Sequence, residues 1–246
     1  MLEFEPSVFL KRIAFIGDSF GRQQFQFLMC LATAGEVSLG VENVRRKYGL
    51  GKARGAISSH VAMHLDRPLA FSRRFLHQFD VLVLNTGHHW YMFKLNANLW
   101  VMFVDGKCSE NKKLAEIENA KKFTIHSIVR WLDLQLPLHQ RLKVFFRTIS
   151  PRHYVNGDWN TRGSCDNTTP LLVGSEVQDG SIDPIIEGAI KGTQVKILYI
   201  TAISRLRDEG HMSHSRVRRT VVQNDCLHWC LPGISNTWYE LLIAQI

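Results

Sequence analysis

The stretch Arg12-Ile13-Ala14-Phe15-Ile16-Gly17-Asp18-Ser19-Phe20 decides how the chain is read. From Arg12 to Ile16 it is almost continuously apolar and of strand length, as expected of a strand buried on both faces of a parallel sheet. Gly17 ends that run, and Asp18 and Ser19 stand where the strand hands over to a helix that the spacing predicts from Phe20 to Ala34, closed by Gly35. A serine in this position lies at a helix N-terminus, where backbone N–H groups and a partial positive charge face whatever it attacks. That is half of an oxyanion hole. The plainer reading of the same residues is an N-cap, for which Asp and Ser are favoured types.

Three further runs have strand length and β-branched or aromatic content: Val81 to Leu84, Leu142 to Phe146 and Val195 to Ile200. Between the second and third of the four strands, Lys112 to Leu136 places Ile117, Ala120, Thr124, Ile128 and Trp131 at helical spacing and stops before Pro137. Strands alternating with helices predict a three-layer α/β/α sandwich around a mostly parallel sheet. Ser150 to Pro170 is rich in Pro, Gly, Asn and Asp and reads as an ordered loop over the carboxyl edge of the third strand, the edge at which open α/β sheets bind ligands. The tail from Gln223 to Ile246 carries Asp225-Cys226-Leu227-His228, turns at Pro232-Gly233, and closes with a short amphipathic helix through Trp238, Leu241 and Leu242.

With 246 residues, 45% of them hydrophobic, the chain can bury one substantial core, so a single domain over residues 1–246 is expected. The excess of 30 basic over 22 acidic residues gives a formal charge of +8, which permits anionic partners without selecting one. Its basic clusters, Arg45-Arg46-Lys47, Lys112-Lys113, Lys121-Lys122 and Arg216 to Arg219, carry no nucleic-acid-binding fingerprint and read as solvated surface. There is no apolar run of membrane-spanning length and no signal-like N-terminus in the chain as given. The five cysteines lack paired metal-ligand spacing, so no metal is expected.

The chemistry converges on three places. Ser19 is the candidate nucleophile, and in Asp225-x-x-His228 a carboxylate can orient an imidazole that takes the serine proton. Asn85, in Asn85-Thr86-Gly87-His88-His89-Trp90, follows the second strand at the same sheet edge. Its amide is a candidate second oxyanion donor beside the Ser19 backbone; capping a turn before Gly87 is the equal alternative.

The blocks Gly17-Asp-Ser-Phe-Gly-Arg-Gln-Gln-Phe-Gln, Asp80 to Trp90, Phe146 to Trp159, Arg207-Asp-Glu-Gly-His-Met-Ser213 and Asp225-Cys-Leu-His-Trp-Cys-Leu-Pro-Gly233 together resemble the plant Trichome Birefringence-Like proteins of the PC-esterase group, related to the SGNH or GDSL hydrolases. The resemblance spans nearly the whole chain. It implies an SGNH-like fold and an O-acetyltransferase that modifies cell-wall polysaccharides in the Golgi, held there in the family by a type II membrane anchor that this chain as given does not show. It implies Ser19 as the acetyl-carrying nucleophile, His228 as base and Asp225 as its orienter, with Asn85 matching the oxyanion block by position. The acetyl donor would be a co-substrate, acetyl-CoA or another carrier, and no cofactor would be resident. Arg147, Trp159 and His211 lie in motifs expected to border the polysaccharide groove, although an Arg there also suits a structural bond to loop carbonyls and a Trp suits the core.

The resemblance also implies a disulfide between Cys165 and Cys226, tying the loop to the Asp-x-x-His segment, with Cys30 and Cys230 left without upstream partners. Asn167-Thr168-Thr169 is a glycosylation acceptor for the secretory pathway. Against the family pattern, the stretch between Gly51 and His60 is abbreviated, which is expected to lower activity and stability. Two other functions fit the same residues: an acetylesterase with water as the acceptor, and a non-catalytic form that only binds polysaccharide.

Overall fold

In the computed structural model, the described residues are 11–32, 61–97, 99–165, 183–212 and 224–246. Four short strands, β1 (Ile13–Ile16), β3 (Val81–Leu84), β6 (Lys143–Arg147) and β7 (Lys196–Leu198), pair side by side in that order, every pair parallel. These are the four runs expected to be strands, Val81–Leu84 unchanged and the other three trimmed or shifted by one or two residues. Their side chains alternate between two buried faces. Leu82, Leu84, Val144 and Phe146 point into one core with Ile125, Val129 and Leu132 of helix α4 (Ile117–Gln135) and with Ile186, Ala189 and Ile190 of helix α5 (Pro184–Ile190). Val81, Val83, Phe145 and Leu198 point into the other, with Phe20 of helix α1 (Ser19–Ala32) and Trp238 and Leu242 of helix α7 (Ile234–Ile243). Apolar packing on both faces of this parallel sheet makes the fold an α/β/α sandwich, as expected.

The remaining elements lie mostly at the edges. A second, three-stranded sheet joins β2 (Val61–His64), β4 (Trp100–Val104) and β5 (Lys107–Cys108), with β2 parallel and β5 antiparallel to β4. It was not expected from the sequence. The turn between β4 and β5 is Asp105-Gly106, both at positive φ (51° and 76°), the pairing that closes tight hairpins. Helices α2 (Ala70–Phe75), α3 (Met92–Ala97) and α6 (Thr201–Arg205) are short connectors.

The expected Lys112–Leu136 helix is divided. Residues Lys112–Ala115 form a 3₁₀ turn, Glu116 is extended, and α4 ends at Gln135 before a 3₁₀ turn containing Pro137. The buried face of α4 is Ala120, Ile125, Val129 and Leu132, while Ile128 and Trp131 are only partly covered. The stripe is therefore rotated by about one residue from the expected one. Gly35, the Gly51–His60 stretch, Asn167 and Arg216 to Arg219 lie outside the described residues.

Candidate active site

Ser19 opens α1 immediately beyond the carboxyl end of β1. Asp18 caps that helix, its Oδ1 accepting the Phe20 N–H at 3.1 Å and a second hydrogen bond from the Asn85 side-chain amide. Asn85 follows β3 and donates its own N–H to the Ile16 carbonyl at 3.1 Å. The turn admits it because it has no side chain in the way: a Cβ on Gly17 would lie 2.2 Å from Asn85 Oδ1, and one on Gly21 would lie 2.6 Å from the same atom. Glycine inside a helix costs roughly 1 kcal/mol, and at Gly21 that cost admits the Asn85 amide. The Asp18 carboxylate thus caps the helix and also holds the Asn85 amide beside the Ser19 turn.

The Asp-x-x-His segment arrives from the other end of the chain. His228 Nε2 lies 2.7 Å from Ser19 Oγ, and His228 Nδ1 lies 2.9 Å from Asp225 Oδ2. The carboxylate reaches the ring because its Oδ1 also accepts the backbone N–H groups of Leu227 (3.1 Å) and His228 (2.9 Å), an Asx-type turn that fixes the three-residue spacing. Burial opposes charge on Asp225, but the hydrogen bonds from His228 and the Leu227 N–H outweigh it and hold the carboxyl below its ordinary value. A carboxylate bonded to Nδ1–H leaves Nε2 as the acceptor facing the serine, the tautomer a general base requires. Phe20, next to the serine, stacks on the His228 ring at 5.3 Å between centroids.

Ser19, Asn85, Asp225 and His228 are brought together; the residues expected to border a groove are not all placed there. Arg147 is 2% exposed and His211 4% exposed, so neither lines open surface. Arg147 shares strand parity with Phe145 and therefore points into the core face, with its guanidinium 5.7 Å from the Phe20 ring centre and 4.9 Å from that of Trp238. It donates to Gln24 Oε1 at 3.1 Å, and burial pulls its pKa down to about 10 against the charge of Asp18. This is the supporting role that an Arg bonding carbonyl oxygens would have. His211 stacks on Trp229 at 3.8 Å and donates through Nδ1 to the His228 carbonyl at 3.0 Å, with its Nε2 2.6 Å from His153 Nδ1. Trp159, 42% exposed, remains a surface residue of the Ser150–Cys165 loop.

That loop is stitched to the Asp225–His228 segment. Cys165 and Cys226 form the expected disulfide, His153 N–H donates to the Cys226 carbonyl at 3.1 Å, and Asn224 Nδ2 donates to the Gly163 carbonyl at 3.2 Å. The bridge closes a separation of 61 residues. Its removal in a Cys165→Ser, Cys226→Ser variant is expected to cost about 4 kcal/mol by loop entropy, read as a lower denaturant midpoint than that of the parent under non-reducing conditions. Cys108 and Cys230 are exposed free thiols. Among the described residues no group of three or more His, Cys, Asp or Glu is placed to hold a metal, and no helix is long and apolar enough to cross a membrane.

Sequence reasoning missed His88 and Gln23, whose contacts are too distant along the chain to leave a local signal. His88 Nε2 donates to the Ser150 carbonyl at 2.7 Å and its ring packs against Phe20. Burial pushes His88 down to about 4, against Asp18 and the Ser150 carbonyl, and burial likewise pushes His211 to about 4. For both rings the folded value lies below the unfolded 6.5. As pH falls from about 6.5 to about 4 the unfolded chain takes up protons that the folded one refuses, so each ring removes up to about 3 kcal/mol of stability across that window. The lowered Asp225 carboxyl acts in the same sense at lower pH, its contribution being lost as pH falls through the folded value. The unfolding midpoint should therefore drop steadily on acidification below about pH 6.5, and the slope should flatten in His88→Gln.

A strand-turn-helix serine with an imidazole on its oxygen and a carboxylate on that imidazole is an arrangement chemically able to perform acyl transfer. Residues 47–245 match the PC-Esterase family, described as a GDSL/SGNH-like acyl-esterase family found in Pmr5 and Cas1p, and the chain belongs to that family. It is 52% identical to trichome birefringence-like protein 14 of Arabidopsis thaliana, across 100% of this chain and 73% of that protein. It is 48% identical to trichome birefringence-like protein 15 of the same plant, across 99% of this chain and 59% of the relative, and 26% identical to xyloglucan O-acetyltransferase 3 of Populus trichocarpa, across 99% and 72%. The first match runs over 299 residues against the 246 of this chain, so at least 53 positions within it have no counterpart here.

Proposed function

We propose that this chain is a polysaccharide O-acetyltransferase working through an acetyl-Ser19 intermediate, with residues 1–246 acting as one catalytic domain. The observation that carries the reading is the 2.7 Å contact between Ser19 Oγ and His228 Nε2, with Asp225 behind the ring. Ser19 Oγ attacks the acetyl carbonyl of the donor while its proton passes to His228 Nε2; the Asp225 carboxylate stabilises the imidazolium. The Ser19 backbone N–H and the Asn85 amide receive the developing oxyanion. His228 then gives its proton to the departing carrier freed of its acetyl group, the coenzyme A thiolate where acetyl-CoA is the donor. In the second half, a sugar hydroxyl loses its proton to His228, attacks acetyl-Ser19 and leaves as the acetyl ester, and the proton returns to Ser19.

Xyloglucan O-acetyltransferases among the relatives support a cell-wall polysaccharide as acceptor, and Trp159 offers an exposed aromatic face of the kind on which sugar rings stack. By the family resemblance, we propose that the working protein acts in the Golgi. The description of the family as acyl-esterases favours one alternative, hydrolysis by the same residues with water as acceptor. Incubating the purified chain with an acetyl donor and xylan- or xyloglucan-type oligosaccharides separates the outcomes. Acetylated sugar is expected; free acetate alone would identify an esterase, and sugar binding without either product would identify a non-catalytic form.

A further inference from the structure

Ser19 and His228 are separated by 209 residues, and the disulfide ties the His228 segment to the Ser150–Cys165 loop, not to the helix that carries the serine. The reach between nucleophile and base therefore depends on how α1 docks on residues 224–230. Ser19 and Gln23 are four residues apart on α1 and so lie on one face of it. Gln23 is 7% exposed. Its Nε2 donates to the Trp229 carbonyl and its Oε1 accepts the Trp229 N–H at 3.3 Å, so one carboxamide satisfies both backbone groups of the residue next to His228. The same segment is also held by His211 Nδ1, which donates to the His228 carbonyl at 3.0 Å, and by the Trp229 indole, which donates to Ser150 Oγ at 2.8 Å.

We propose that Gln23 is a positioning residue that sets the distance between Ser19 and His228: one helix face delivers the nucleophile to the imidazole and reads the register of the adjoining residue. The chemistry selects glutamine. Its amide reproduces the donor and acceptor of a peptide group, whereas a glutamate offers acceptors alone and places one against the Trp229 carbonyl, and a methionine fills the volume and bonds to neither. A misplacement of about 1 Å at a reacting pair costs on the order of a hundredfold in rate.

The inference rests on the acyl-transfer reading of Ser19 and His228, and the test distinguishes the two. A fluorophosphonate probe forms a Ser19 Oγ–phosphorus bond with loss of fluoride and transfer of the serine proton to His228, so its rate reports the nucleophile–base pair without any sugar. Wild type, Gln23→Glu and Gln23→Met are compared for probe labelling of Ser19 and for kcat and KM with a chromogenic acetyl ester, below each variant's unfolding midpoint. The expected result is a fall of about 10- to 100-fold in labelling rate and in kcat, with KM within about twofold of wild type. Wild-type labelling at Ser19 with equal rates in Gln23→Glu, the near-isosteric variant, would overturn the inference alone. Absence of labelling in wild type would overturn the reading beneath it and the inference together.

Discussion

Ser19→Ala is expected to abolish acetyl transfer, with kcat falling on the order of 10⁵- to 10⁶-fold, while the fold stays intact. The serine hydroxyl meets His228 Nε2 at 2.7 Å and stands at the start of α1, where it is only partly buried. Helix capping is supplied by the neighbouring Asp18, so alanine at 19 removes the reacting oxygen and little packing. The unfolding midpoint should move by less than the equivalent of about 1 kcal/mol, and binding of oligosaccharide should be unchanged. Activity equal to that of the parent would falsify the nucleophile assignment. Loss of activity together with loss of the folded state would assign Ser19 a structural role instead.

Asp225→Asn carries the second large effect, a fall in kcat on the order of 10⁴. The geometry gives the reason. Asp225 Oδ1 accepts the Leu227 and His228 backbone N–H groups, so an asparagine keeps its oxygen there and places its NH₂ where Oδ2 now meets His228 Nδ1. An NH₂ donates, which forces the lone pair onto Nδ1 and the proton onto Nε2, facing Ser19. The imidazole is then in the tautomer that cannot take the serine proton. Steady-state kinetics should show the loss in kcat with circular dichroism unchanged. A variant retaining more than about a tenth of the rate would mean that Asp225 does not govern the His228 tautomer.

The frame of the molecule was legible where the sequence met one physical condition, burial on both faces. Val81–Leu84 and Leu142–Phe146 read as strands because nearly continuous apolar runs suit central positions of a parallel sheet. The β2-β4-β5 sheet was missed for the opposite reason. Val61–His64 ends in a histidine instead of continuing an apolar run, and the local signal after Trp100–Val104 is the Asp105-Gly106 hairpin turn. In the site, Ser19, Asp225 and His228 were readable because strand–turn–helix position and three-residue spacing are local. The buried placement of Arg147 was available from its parity with Phe145. Gln23, His88 and His153 were not readable, because their partners Trp229, Ser150 and His211 come near only once the sheet has formed.

The central claim, that an acyl group passes through Ser19 under the control of His228, is tested most directly by trapping the intermediate. The purified chain is mixed briefly with an acetyl donor in the absence of sugar, quenched in acid, and its peptides are weighed by mass spectrometry. The account predicts one added acetyl group on the peptide containing Ser19, absent in His228→Ala and discharged onto added oligosaccharide. Acetyl-sugar formation with Ser19 unmodified, or acetylation at another residue that discharges onto sugar at the same rate in Ser19→Ala, would contradict it.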